Sequence, residues 1–162
     1  MNRSRWKTYT VWILLAEATG ALSGWLTREG TAIYSEGIVK PLLSPPPLLF
    51  PIVWTILFAL MGIGAARVYL TPPSTARDRS LALFLLQLAW NFFWSIIFFR
   101  LQNFGFALLW LILLWILILG MILLFSRVDR CAAYLQFPYL LWVSFAAYLN
   151  LGIWLLNPSE PI

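Results

Sequence analysis

The chain has 162 residues and a net charge of +5; 62% of its residues are hydrophobic, only 10% are charged, ten are tryptophan, one is cysteine and none is histidine. Soluble domains run at roughly 45–50% apolar and about 25% charged, so a soluble globule able to cover itself with polar surface is excluded, and so is a disordered chain. An intramolecular disulfide, a histidine-ligated metal or haem, a histidine general base and a Ser-His-Asp triad all fail for lack of the residues.

What remains is an integral membrane protein. Crossing a hydrocarbon core takes about 20 residues of helix. Five apolar runs are long enough: Thr8–Leu26, Leu48–Leu70, Ser80–Phe99, Phe104–Phe125 and Tyr134–Leu156. None shows the period-two alternation of a barrel strand, so the predicted fold is an all-α, five-transmembrane-helix bundle forming a single domain over residues 1–162. Arg3, Arg5 and Lys7 resemble the basic start of a signal peptide. The apolar run behind them is as long as a full span and contains Glu17, which favours an uncleaved first helix.

Glu17 is costly in lipid unless it is protonated, partnered or facing a wet cavity. It is expected to face the bundle interior, with Asn91 or Asn150 as candidate partners. Gly20 and Gly24 stand at small-xxx-small spacing; with Gly62 and Gly64 they are candidate faces for a homodimer. Residues 27–47 form the one long connection and end in Lys40-Pro41 and Pro45-Pro46-Pro47. Loops beyond about 12–15 residues are often lids, with a plain surface loop as the equal alternative.

The second run begins with Phe50-Pro51, proline being tolerated in a first turn, and carries Trp54 and Phe58 one turn apart. In the third, Asn91, Trp94, Ser95 and Phe98 follow Gln87 by 4, 7, 8 and 11 residues and share its stripe. An unpaired amide facing lipid costs about several kcal/mol, so this stripe must face other helices or a cavity. Gln87 is expected to tie helices together; Asn91 either does the same or serves as a polar group in an aromatic pocket. The fifth run begins Pro138-Tyr139 and sets Trp142, Ala146 and Asn150 on one face, with Phe145 beside them. Trp6, Trp25 and Trp154, near span ends, read as interfacial anchors and Trp12 as packing, while Trp90, Trp110 and Trp115 carry no assigned role. Arg67 and Arg100 at span ends are expected to snorkel, and Cys131 is read as a bystander.

With five spans, the N-terminus shares a side with the second and fourth connections. That side holds Arg3, Arg5, Lys7, Arg67, Arg77, Arg79, Arg127 and Arg130, against Arg28, Lys40 and Arg100 opposite. The positive-inside rule then predicts a cytoplasmic N-terminus and a C-terminus on the other face, with a bacterial cell membrane as the expected setting. Basic flanks on an anionic leaflet account for the charge, so no nucleic-acid partner is expected.

Three separated motifs carry a resemblance. They are Lys40-Pro41…Pro45-Pro46…Phe50-Pro51-Ile52-Val53-Trp54 with Leu60-Met61-Gly62, then Gln87-Leu88…Asn91…Trp94-Ser95…Phe98-Phe99, then Pro138-Tyr139-Leu140…Trp142…Phe145-Ala146…Leu149-Asn150…Trp154…Asn157. In this order and spacing the chain resembles, over nearly its whole length, the TspO/MBR family of tryptophan-rich sensory proteins, the family of the translocator protein or peripheral-type benzodiazepine receptor. The resemblance implies a five-helix membrane bundle, often a homodimer. It also implies one pocket, open toward the loop after the first helix, for flat hydrophobic ligands such as protoporphyrin IX and other tetrapyrroles or cholesterol. No cofactor is required beyond such a ligand. The family's pocket residues map onto Tyr34, Pro45, Trp54, Phe58, Asn91, Trp94, Trp142 and Ala146, and Phe50, Phe145 and Asn150 complete the candidate ligand-binding set.

Two departures stand out. Ile33, before Tyr34, and Leu43, between Lys40-Pro41 and Pro45-Pro46, replace loop tryptophans that the family associates with light-dependent porphyrin breakdown. The expected function is a membrane receptor or translocator-like protein that binds tetrapyrroles, with sterols as a second expected ligand class, in a sensing, regulatory or transport role. The alternatives are a light-dependent porphyrin-degrading enzyme and a structural membrane protein without a ligand. The last would show a bundle centre filled by side chains.

Overall fold

The computed structural model describes residues 3–158, and the regular structure among them is all helical. Helix α1 covers Arg3–Leu26, and a short α2, Arg28–Gly37, follows almost at once. Then come α3 (Leu49–Tyr69), α4 (Thr75–Ser95), α5 (Phe104–Val128), the one-turn α6 (Arg130–Tyr134) and α7 (Phe137–Leu156). Side chains close the helix starts: Ser74 Oγ accepts from the Arg77 N–H, Asn103 Oδ1 from Phe106 and Asp129 Oδ1 from Ala132.

Among the described residues, four helices are long and apolar enough to cross a membrane: α3, α4 with its continuation to Arg100, α5, and the stretch Arg130–Leu156 containing α7. The expected five-transmembrane-helix bundle is therefore corrected to four. Helix α1 has the length, but Lys7, Glu17 and a series of threonines, serines and glycines interrupt its apolar residues. Several of these interruptions, Glu17, Gly20, Ser23 and Gly24, line an internal cavity and so have no need to be apolar.

Helix α1 packs along α3, and α5 lies against α4 and α7. Glycines set the closest approaches. A β-carbon at Gly62 would lie 2.5 Å from the Ile13 Cα, so α1 and α3 touch backbone to backbone there. Gly20 faces the Phe58 ring and Gly64 the Gln136 amide, so three of the four glycines offered as a dimer face are used inside the bundle. Only Gly24 has open space beside it. On the α4–α5 seam the Trp90 and Trp110 rings stack 4.0 Å apart with planes 10° from parallel. Each indole N–H donates to the other residue's backbone carbonyl, at 3.2 and 2.8 Å. This gives two tryptophans without a sequence-level role a shared structural one. Trp115 Nε1–H donates to Ser144 Oγ on α7 at 2.9 Å. Trp6 and Trp25 are exposed and Trp12 packs edge-on against Phe84. Arg67 does not simply reach toward water: its guanidinium pairs with Asp129 at 2.9 Å, tying the end of α3 to the α5–α6 corner.

Gly62→Val should push α1 and α3 apart and cost about 1–3 kcal/mol as over-packing. Thermal unfolding in detergent should show a lowered Tm for Gly62→Val and little change for Gly24→Ala, which adds its methyl group to open space.

Candidate functional site

A cavity of about 580 Å³ opens between α1, α3, α4 and α7. Trp54 and Phe58 on α3 stack 5.5 Å apart along one wall. Trp94 and Phe98 on α4 stack 5.2 Å apart along another. Trp142 closes the α7 side, with its ring edge-on to Phe50 at 5.9 Å, and Ala146 leaves room beside it. The helical spacings account for these placements: Trp142, Ala146 and Asn150 share a face, as do Asn91, Trp94, Ser95 and Phe98, and all seven line the cavity.

The structure brings ten of the eleven candidate residues to this one space: Tyr34, Pro45, Phe50, Trp54, Phe58, Asn91, Trp94, Trp142, Ala146 and Asn150. Phe145 is elsewhere. It lines a second, shallower apolar groove of about 480 Å³ on the outside of α3 and α7, with Val53, Ile56 and Leu141. Three residues beyond Trp142, it sits about 100° round the helix from Ala146 and points past α3 rather than inward. Trp142 lines both spaces and is the partition between them. Ile33 and Leu43, where the family has tryptophan, are 57% and 80% exposed and line neither space.

Buried polar groups beneath the cavity are tied together by a residue with no role assigned from sequence. Tyr139, fully buried on α7, donates its hydroxyl proton to Gln87 Oε1 at 2.9 Å and accepts from Asn91 Nδ2 at 2.8 Å. Gln87 Nε2 points at the Met61 sulfur 3.8 Å away. Gln87 is thus helix-to-helix glue, as its position in the stripe suggests. Asn91 does both jobs: its amide N–H is held by Tyr139, while among the described residues nothing donates to its Oδ1, and the side chain lines the cavity. Asn150 Nδ2 donates to the Phe104 carbonyl at 2.8 Å, and its Oδ1 accepts from Trp94 Nε1 at 3.4 Å. That bond holds the Trp94 indole against the wall. Neither asparagine reaches Glu17, which lines the cavity without a hydrogen-bonding or ion-pair partner among the described residues.

The long connection is a roof. A single π-helical turn, Ile96–Arg100, ends α4, with the Leu101 N–H bonded to the Ile96 carbonyl at 3.0 Å. Such turns put an extra residue into the helix face. Phe98 and Phe99 here both meet Tyr34 of α2, at ring distances of 5.7 and 5.5 Å. Gly30 lets α2 settle directly on the Phe99 carbonyl, where any β-carbon would collide. The remainder of the roof is fastened to α7. Asn157 accepts from the Val39 N–H at 3.0 Å and donates to the Val39 carbonyl at 2.8 Å. Tyr148 donates to the Leu42 carbonyl at 2.7 Å, and Pro41 packs onto Gly152. Burial pushes the Tyr34 phenol above its ordinary range, so its hydroxyl stays protonated, and the Lys40 ammonium sits 5.0 Å over its ring.

Tyr139→Phe would leave Gln87 Oε1 and Asn91 Nδ2 buried without partners. The expected cost is about 1–3 kcal/mol of stability for each group left unpaired. A Tm fall measured in detergent that is no larger for Tyr139→Phe than for Tyr134→Phe, at an exposed site, would show the network to be unimportant.

The sequence of the whole bundle matches known proteins. The TspO/MBR family model covers residues 12–155. The chain is 41% identical to the tryptophan-rich protein TspO of Chlorobaculum tepidum over 152 residues, 93% of this chain and 96% of that protein. It is 35% identical to protein CrtK of Rhodobacter capsulatus over 161 residues, covering 99% and 97% of the two chains. It is 30% identical to the translocator protein of Bos taurus over 152 residues, covering 92% and 89%. With the match running from α1 to the last turn of α7 and four helices apolar enough to cross a bilayer, the chain is an integral membrane protein of the TspO/MBR family.

Proposed function

We propose that the protein binds a flat hydrophobic small molecule, a tetrapyrrole such as protoporphyrin IX or a sterol, inside the bundle, and that it acts in sensing, regulation or transport of that molecule. The observation that carries this reading is the cavity of about 580 Å³ walled by Trp54, Trp94 and Trp142, with the Asn91 Oδ1 left as an acceptor among them. Small-molecule sites run at about 300–1,000 Å³, mostly apolar with a few placed polar groups. Aromatic faces suit a planar macrocycle or a ring system, by offset stacking or edge contact. The Asn91 oxygen accepts a hydrogen bond, so the complementary group is a donor: a ring N–H in a tetrapyrrole or a hydroxyl in a sterol. A ligand-free structural role predicts a centre filled by side chains, which the open cavity argues against. Relatives named as a sensory protein and a translocator protein accord with this reading.

Protoporphyrin IX titrated into detergent-solubilised protein should quench tryptophan fluorescence saturably. Trp142→Ala and Asn91→Ala should each weaken binding about tenfold, the scale of one good stacking or hydrogen-bonding contact. Trp115→Phe, whose ring lines neither space, should bind as the wild type does. Saturable quenching that survives both cavity substitutions unchanged would place the ligand elsewhere.

A further inference from the structure

The two ends of the bundle differ in charge. The roof end carries Arg28, Lys40 and Arg100 with Glu29 and Glu36. At the opposite end, packing brings together cations from four parts of the chain. Helix α1 runs antiparallel to α3, with Ile13 against Gly62 and the Trp12 ring 5.8 Å from Tyr69. Its first turns, with Arg5 and Lys7, therefore stand beside the end of α3. Arg67 at that end is bonded to Asp129, the corner residue between Arg127 and Arg130. Leu83 reaches Gly120 and Phe84 stacks on Phe125, which sets the start of α4, with Arg77 and Arg79, beside the end of α5.

The carboxylates of this end, Asp78 and Asp129, are both taken. Asp129 pairs with Arg67 at 2.9 Å and Asp78 with Arg77 at 2.9 Å. Arg5, Lys7, Arg79, Arg127 and Arg130 are exposed, and none is paired with a described carboxylate. Such a surplus repels itself unless anions from outside meet it. A separate observation says at what depth they meet it. Trp6, Tyr69 and Tyr134 are exposed at this same end, on α1, α3 and α6. Exposed tryptophan and tyrosine on a membrane protein mark the headgroup level. Trp6 lies between Arg5 and Lys7, Tyr69 lies two residues past Arg67, and Tyr134 lies one turn past Arg130. The cations thus stand at the depth of lipid phosphates.

We propose that this end of the bundle is a docking surface for anionic phospholipid headgroups. Arg79, Arg127 and Arg130 at the meeting of α4, α5 and α6 are its main donors to phosphate, and Arg5 and Lys7 extend it across α1. Guanidinium groups suit phosphate oxygens, which they can engage two at a time. The Arg67–Asp129 pair fixes the corner to α3 and so sets the spacing of the surface. The aromatic collar at the same level selects a lipid over an anion in free solution. This surface lies at the far end of the bundle from the roof and is independent of what the cavity binds.

The test is thermal unfolding in neutral detergent with added phosphatidylglycerol, phosphatidylcholine or inorganic phosphate. Phosphatidylglycerol should raise the Tm by about 3–6 °C, and the other two by less than about 1 °C. The Arg79→Gln/Arg127→Gln/Arg130→Gln variant should lose most of that shift, while Arg28→Gln/Lys40→Gln at the roof end should keep it. In the wild type, raising the salt should remove the shift, which decides the matter even if the triple variant does not fold. Equal shifts with the two lipids, a shift that ignores salt, or no shift at all overturns recognition of anionic headgroups. A shift kept by the triple variant, or lost in the roof variant alone, overturns the assignment to this end. An equal shift with inorganic phosphate overturns the lipid in favour of a soluble anion.

Discussion

The bundle depends on one hydroxyl group. Within a bilayer no water reaches an orphaned amide, so Gln87 and Asn91 can sit on a membrane-crossing helix only if partners are supplied from another. Tyr139 supplies both, donating to one amide and accepting from the other. The pair of bonds fixes the facing positions of α4 and α7 and also aims Asn91. With its N–H held from below, its oxygen is left for the cavity. The group that satisfies the core therefore also orients an acceptor of the cavity.

The second constraint is the roof. Segment 38–48 has no regular structure of its own, and a chain like that is ordered only by what it is tied to. Here it is fastened at Val39, Pro41 and Leu42 to three successive turns of α7, while α2 is seated on the π-turn of α4 through Gly30. Prolines at 41 and 45–47 reduce the freedom that fastening must remove. The roof therefore belongs to the α4 and α7 halves of the bundle at once.

Much of this was legible in the sequence because helical periodicity is a local property. The stripe Asn91, Trp94, Ser95, Phe98 and the face Trp142, Ala146, Asn150 follow from 3.6 residues per turn and meet across the cavity as spaced. Phe145 shows the limit of that logic: nearness in sequence to Trp142 placed it in the site, and the helical angle takes it out. The roof fastenings were not legible at all, since Tyr148 and Asn157 bond residues 106 and 118 positions away and nothing local marks them. Tyr139 was hidden for another reason: a tyrosine in the first turn of a membrane helix is the ordinary sign of an interfacial anchor. Helix α1 misled in the opposite sense. Length suggested a span, but the cavity it borders allows the polar residues that keep it from being as apolar as the others.

Trp142 is a wall with two sides. Inward it bounds the aromatic cavity, and outward it forms part of the apolar groove that α3 and α7 present on the bundle's exterior. A ligand in such a site competes not with water but with hydrocarbon, because acyl chains are the solvent at the outer face. The indole is what keeps the two populations apart. Its removal joins the two spaces, so a lipid tail lying in the groove gains a way inward and becomes a rival occupant at the very high concentration of its own phase. For the proposed ligand, affinity at this position is thus set by exclusion of the membrane as much as by contact with the cavity walls.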